Sequence, residues 1–229
     1  MKDKDKKINE EKDYVVPESD IVFQNINLML FEFNTYNEEN NYTPNFKTIE
    51  QDFQDLIDRA LEGKLVYVNI DYSSYGGDIM VLLALYNRIK QLVALNVQIN
   101  INVVGDLASA GVFLLLMVAK EKLCTFTFNS LCEPVYLAHE GYMKVYTNSL
   151  KNNESYHYQT NKKLKDTNKY LLELIQEFVS LTNVDINKFK KGKDIYLEHK
   201  DIYKVLEERN LIQKEFPIKT EYEEIKDNK

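Results

Sequence analysis

The chain has 229 residues, 44 % of them hydrophobic and 28 % charged, and its formal charge is 29 − 36 = −7. This predicts one domain that can bury a real core without a metal or disulfide staple. The acidic balance, with no stripe of Lys and Arg between aromatics, argues against nucleic-acid binding, whose affinity rests on neutralising phosphates. The longest mostly apolar stretch, Leu107 to Ala119, has 13 residues, short of the roughly 20 that a membrane span needs. Met1 is followed by Lys-Asp-Lys-Asp-Lys-Lys with no apolar run behind it, so no secretory signal is expected. Cys124 and Cys132 are too few for a disulfide framework and form no C-x-x-C pair. The expectation is a cytoplasmic protein with no metal, no cofactor and no membrane contact.

Residues 1–18 are mostly charged and lack periodicity, which predicts a mobile arm. A short strand is expected over Ile26 to Phe31, then a loop over Asn34 to Asn45. Phe46, Ile49, Phe53, Leu56, Ile57 and Ala60 recur at helical spacing, and Gly63 follows as a stop. Leu65 to Ile70 reads as a strand ended by Asp71 to Gly77, and Asp78 to Leu95 as an apolar helix. Val97 to Val104 reads as a strand ended by Gly105, with another apolar helix starting near Ser109. Cys124 to Phe128 and Pro134 to His139 read as further strands. They are followed by a long helix over Asn148 to Leu181, a strand over Asp194 to Leu197 and a short helix. Strand–helix alternation of this kind implies an α/β domain with parallel pairing, spanning 19–215, and a polar tail over 216–229.

In an open α/β sheet, ligands bind beyond the carboxyl ends of the strands, and three features fall there. Gly76-Gly77 would let backbone N–H groups turn toward a substrate carbonyl, or would simply serve a tight strand-to-helix turn. Ser109 stands where a strand gives way to a helix. There its hydroxyl meets the positive end of the helix dipole and Ala110 can offer an N–H, although an N-cap serine fits the same place. His139 ends a strand, as a proton acceptor for a serine or as a strand-edge histidine bonded to backbone. Of the three histidines, His157 and His199 sit among polar neighbours and are expected at the surface. The three features in that order are more specific than any one alone.

In combination they resemble the proteolytic subunit of the Clp protease, within the wider ClpP/crotonase fold. That family carries N-S-P-G-G, then G-x-A-A-S-M-G-A-F-L-L, then a strand ending in M-I-H. The counterparts are Ser73-Ser-Tyr-Gly-Gly77, Gly105-Asp-Leu-Ala-Ser-Ala-Gly-Val-Phe-Leu-Leu115 and Val135-Tyr-Leu-Ala-His139, with Ala119-Lys-Glu-Lys122 resembling the A-K-G-K turn between the last two. The resemblance runs from about Ile26 to Gln213. It implies a repeated β-β-α spiral with a protruding handle helix, and a serine endopeptidase working through an acyl-enzyme. Ser109 would be the nucleophile and His139 the general base. The amides of Gly77 and Ala110 would form the oxyanion hole.

The chain departs from the family pattern at three places. The segment between Ser109 and His139 is a few residues longer than the family's, around Thr125 to Glu133, and an ungapped comparison would set the family's histidine near Pro134. Tyr75 stands where the family has proline. The orienting acid is missing too, since the expected position falls in Phe189-Lys-Lys-Gly-Lys193. Asp194 is the nearest carboxylate and Asp185 the next. Three cases stay open: Asp194 substitutes, the site is a weak dyad, or the chain is a degenerate paralogue with a structural or regulatory role in a ring. The long helix, with Leu164, Leu171, Leu174, Ile175 and Phe178 on one stripe, resembles the family's handle helix. The resemblance therefore implies heptameric rings, peptide substrates and an ATP-dependent unfoldase as partner. An acyl-CoA enzyme of the crotonase fold would need no Ser109–His139 pair.

Overall fold

The computed structural model describes residues 20–33, 46–128, 133–140, 154–179 and 186–213. The expected N-terminal arm, the C-terminal tail, the loop over Asn34 to Asn45 and Cys132 lie outside the described residues.

Eight strands and six helices are described. The strands are β1 (Ile21–Leu28), β2 (Glu32–Phe33), β3 (Leu65–Ser74), β4 (Gly76–Gly77), β5 (Gln98–Ala108), β6 (Thr125–Phe128), β7 (Tyr136–Ala138) and β8 (Ile195–Leu197). The helices are α1 (Phe46–Leu61), α2 (Ile79–Ala94), α3 (Ala110–Lys120), α4 (Glu154–Phe178), α5 (Ile186–Phe189) and α6 (His199–Glu208). The main sheet runs β1-β3-β5-β7-β8, with β6 also on β5, and β2 and β4 form a two-stranded sheet of their own. All pairings are parallel except β7 with β8. The expected α/β class with parallel pairing is what the chain forms.

Alternation along the strands sorts their side chains onto two faces. Val66, Val68, Ile70 and Tyr72 of β3 are buried, and the Tyr72 hydroxyl donates to the Gly111 carbonyl of α3 at 3.0 Å, which puts this set on the helix side. Against that face pack Ile49, Phe53, Leu56 and Ile57 of α1, and Leu82, Leu85, Ile89 and Leu92 of α2. Each such side chain contributes about 1.5–3 kcal/mol by leaving water. Every residue of α3 from Ala110 to Ala119 is buried. The 13-residue apolar stretch is thus the central helix of the core, and no helix among the described residues is long and apolar enough to cross a membrane.

The opposite face of the sheet is polar and internally bonded. Asn100 is fully buried; its amide donates to Asn69 Oδ1 at 2.8 Å and to Thr127 Oγ1 at 3.0 Å, and its oxygen accepts from Thr125 Oγ1 at 3.2 Å. Asn102 donates to Asp71 at 2.7 Å. These bonds offset the desolvation that would otherwise make a buried amide costly, and they lock β3, β5 and β6 in one register.

Two expectations about strand limits change. Gly105 does not end its strand, because β5 continues to Ala108 through a register shift between Tyr72↔Val103 and Ser74↔Leu107. One residue of β3, Ser73, there faces three of β5, Val104 to Asp106, a bulge of the kind that redirects a strand end. Before the bulge β5 pairs with β6, and after it with β7. The other change is that β1 begins at Ile21 and a separate turn follows it before Phe31.

The long helix is described from Glu154 to Phe178. Leu171, Leu174, Ile175 and Phe178 are buried in the chain's own core and Leu164 is half-buried. The C-terminal half of the stripe is therefore used within the chain. Glu177 ties this helix to its neighbours, accepting from Arg209 at 2.6 Å and from Lys120 at 3.0 Å.

Candidate functional site

The carboxyl ends of β1, β3, β5 and β7 converge at one end of the sheet. The bulge in β5 turns Leu107 to Ser109 away from β6 and alongside β7. Leu107 donates to the Val135 carbonyl at 2.9 Å and Ser109 donates to the Leu137 carbonyl at 2.7 Å. Asp106 Oδ1 accepts from the Val135 N–H at 2.9 Å and fixes the start of β7. Gly105 packs closely in the bulge, where a Cβ would lie 3.2 Å from Ser73 Cβ.

Ser109 is half-buried at the junction with α3, with φ 52 and ψ −122. This conformation is costly for any residue with a side chain, about 1–3 kcal/mol, and such strain concentrates at functional sites. It turns the chain sharply from strand to helix and presents the hydroxyl at the turn. Ser109 is the N-cap residue of α3 by position, its carbonyl accepting from the Phe113 N–H at 3.2 Å, but its hydroxyl makes no capping bond. Ala110 is the first residue of the helix, where N–H groups have no intrahelical acceptor.

The glycine pair packs directly on this junction. Gly76 is buried at φ 101, and a Cβ on it would lie 2.5 Å from Ser109 Cβ, 2.9 Å from the Ala108 carbonyl and 3.2 Å from the Ala110 nitrogen. Gly77 is exposed at φ 138, and a Cβ on it would overlap the Phe33 carbonyl. The Gly76 N–H donates to Ser74 Oγ at 3.0 Å, and the Asp78 N–H donates to the Phe33 carbonyl at 2.5 Å. Gly77 lies between these two committed amides. Tyr75, beside the pair, is 67 % exposed.

His139 follows β7 and is half-buried. It stands two residues past Leu137, whose carbonyl holds the Ser109 N–H. Its Nδ1 lies 2.9 Å from the Glu140 carbonyl. A carbonyl only accepts, so Nδ1 is the donor in this contact. β7 and β8 pair antiparallel, the last pair being Ala138 opposite Ile195; His139 follows β7 and Asp194 precedes β8. Asp194 is exposed. The structure thus brings Gly76, Gly77, Ser109 and Ala110 into one cluster, with His139 and Asp194 at the adjoining ends of β7 and β8. Asp185 and the environment of the His157 side chain lie outside the described residues.

His199 differs from its expected surface position. It is half-buried, with Nδ1 3.1 Å from the Tyr136 hydroxyl and its ring stacked on Tyr136 and against Phe128 and Tyr203. Burial holds its pKa below the ordinary value of 6.5 despite the raising influence of Glu133. Two buried serines beside the glycine pair entered the sequence reading only as part of the motif Ser73 to Gly77. Ser73 and Ser74 are buried, and their hydroxyls hold the turn after β1: Ser73 Oγ accepts from the Leu30 N–H at 2.8 Å, and Ser74 Oγ donates to the Phe31 carbonyl at 2.5 Å. The signal available was a pair of hydroxyls one residue ahead of the glycines, with Tyr75 between.

No family model and no curated protein matches the sequence. Among solved structures, a ClpP1 mutant from Listeria monocytogenes is similar at 14 % identity, with a TM-score of 0.44, over 79 % of this chain and 86 % of that one. At that identity and TM-score, the functional reading rests on the residues of the site.

Proposed function

We propose that this chain is a serine endopeptidase of the ClpP type, with a ClpP/crotonase-like β-β-α spiral. The observation that supports it most is the backbone of Ser109, held at φ 52, ψ −122 between a strand and a buried helix with Gly76 packed against it. A strained serine whose hydroxyl makes no capping bond, beside helix N–H groups and a glycine pair, suits nucleophilic attack on an acyl carbon.

In this reading Ser109 Oγ attacks the peptide carbonyl while His139 Nε2 takes its proton. The N–H groups of Gly77 and Ala110 receive the oxyanion. His139 then gives the proton to the leaving amine, and water repeats the sequence to release the acyl group. The third member of a triad fixes the tautomer of the base and stabilises its cation. The Glu140 carbonyl supplies the first service at Nδ1. Asp194, across the strand ends, supplies charge for the second. The site then works as a serine–histidine pair with a backbone orienter and a distant acid.

Self-association into rings with peptide substrates inside a chamber, and feeding by an ATP-dependent unfoldase, belong to the same reading. So does the assignment of α4 as a handle helix, whose free apolar surface is smaller than its sequence implies. The alternative, a degenerate subunit that only builds a ring, draws on the exposure of Asp194 and the acid-free run Phe189 to Lys193. Hydrolysis of a fluorogenic peptide by the purified chain, lost in a folded Ser109→Ala variant, is the expected result. Peptidase activity that persists in Ser109→Ala would overturn the assignment.

A further inference from the structure

Three parts of the proposed oxyanion site come from different places in the chain, and one buried serine lies against all of them. Ser74 is 1 % exposed. Its Oγ donates to the Phe31 carbonyl in the turn after β1 at 2.5 Å and accepts the Gly76 N–H at 3.0 Å. Its Cβ lies against the first turn of α3 so closely that a Cβ on Gly111 would come within 2.8 Å of it. Gly76 in turn packs on Ser109 and Ala110.

We infer that Ser74 is a positioning residue of this site, an inference that rests on the peptidase reading. By engaging the Gly76 N–H it turns that amide inward and leaves the Gly77 N–H as the one member of the pair that faces substrate. By holding the Phe31 carbonyl and packing on Gly111 it fixes how far the glycine pair stands from the N-terminus of α3. An oxyanion hole needs its two donors at a set separation, since each acts only about 2.7–3.1 Å from the developing charge. The neighbouring Ser73 is a built-in comparison. It is equally buried, at 4 %, and bonds the same turn through the Leu30 N–H at 2.8 Å, yet its hydroxyl has no bond to the glycine pair.

The test compares Ser74→Ala with Ser73→Ala in the full-length chain, using a fluorogenic peptide and a peptide aldehyde that mimics the tetrahedral adduct. Both variants should lose thermal stability to a similar degree. Only Ser74→Ala should lose turnover, by roughly 10- to 100-fold in kcat with KM changed less than threefold, and aldehyde affinity should fall in parallel. Removing an oxyanion donor outright costs about 10²–10³ in kcat, so displacing one sets a smaller loss. Equal kcat losses in the two variants, or a Ser74→Ala loss carried by KM, would refute a positioning role.

Amide exchange on the wild-type chain gives a second readout if Ser74→Ala fails to fold. The Gly76 N–H should be protected without ligand and the Gly77 N–H only when the aldehyde is bound. The reverse order would also refute the role. Failure of the assembled wild-type ring to label at Ser109 with a fluorophosphonate sinks the peptidase reading itself. A labelled wild type with normal Ser74→Ala turnover sinks this inference alone.

Discussion

Gly76→Ala gives the most direct physical test of how tightly the site is built. The residue sits at φ 101, where an L side chain is strained, and its new methyl would meet Ser109 Cβ at 2.5 Å and the Ala108 carbonyl at 2.9 Å. Neither neighbour is the loose end of a flexible side chain, so the strand end or the helix start must shift. Conformational strain of about 1–3 kcal/mol adds to overpacking of about 1–3 kcal/mol, giving roughly 2–6 kcal/mol in all. For a chain of this size each kcal/mol moves Tm by about 2–4 °C, so a fall of roughly 5–20 °C is expected. Gly63→Ala is the matched control: φ there is 82, but nothing lies within 4 Å of the added methyl. It should cost only the conformational part, about 1–2 kcal/mol. Thermal denaturation of both variants by circular dichroism separates the contributions. If Gly76→Ala is no less stable than Gly63→Ala, the close packing of the glycine pair on Ser109 is wrong.

Ser109→Gly should raise stability by about 1 kcal/mol, since glycine adopts φ 52, ψ −122 without strain. Ser109→Ala keeps the Cβ and should leave the denaturant midpoint nearly unchanged; equal midpoints for the two would argue against stored strain. Asp194→Asn should lower peptidase turnover less than tenfold, because the Glu140 carbonyl already fixes the His139 tautomer. A loss near the 10⁴ seen when the orienting acid of the best-studied serine protease is disabled would restore a full triad. The pKa of His199 is lower in the folded chain than its ordinary 6.5. As pH falls through 6.5 the unfolded chain takes up the proton first, and stability is lost until the folded value is passed. Urea midpoints between pH 8 and pH 5 should show that fall, and His199→Phe should remove it; an unchanged slope would place the fall elsewhere.

The helices α1 to α3 and strands β3 and β5 were legible because their apolar residues recur at the period of a structure that buries one face or both. Gly105 was misread because glycine punctuates strands, whereas here it lets a bulge pass against Ser73. The apolar stripe of α4 signals burial but not against what. Leu171, Leu174, Ile175 and Phe178 are buried within the chain. His199 looked exposed between Glu198 and Lys200, but its surroundings come from Phe128 and Tyr136, distant in sequence. The same distance hid Ser74, whose acceptor Phe31 lies 43 residues earlier. The glycine pair and Ser109 could be marked as candidates from local motif and strand–helix position. Their mutual contact, and the strained backbone of Ser109, needed the fold.

Labelling of the purified chain with a fluorophosphonate, with the modified residue located by mass spectrometry and the oligomeric state measured on the same sample, tests the central claim most directly. The account predicts modification at Ser109 that disappears in His139→Ala. An assembled ring that takes up no label, or labels at a serine other than Ser109, would contradict it.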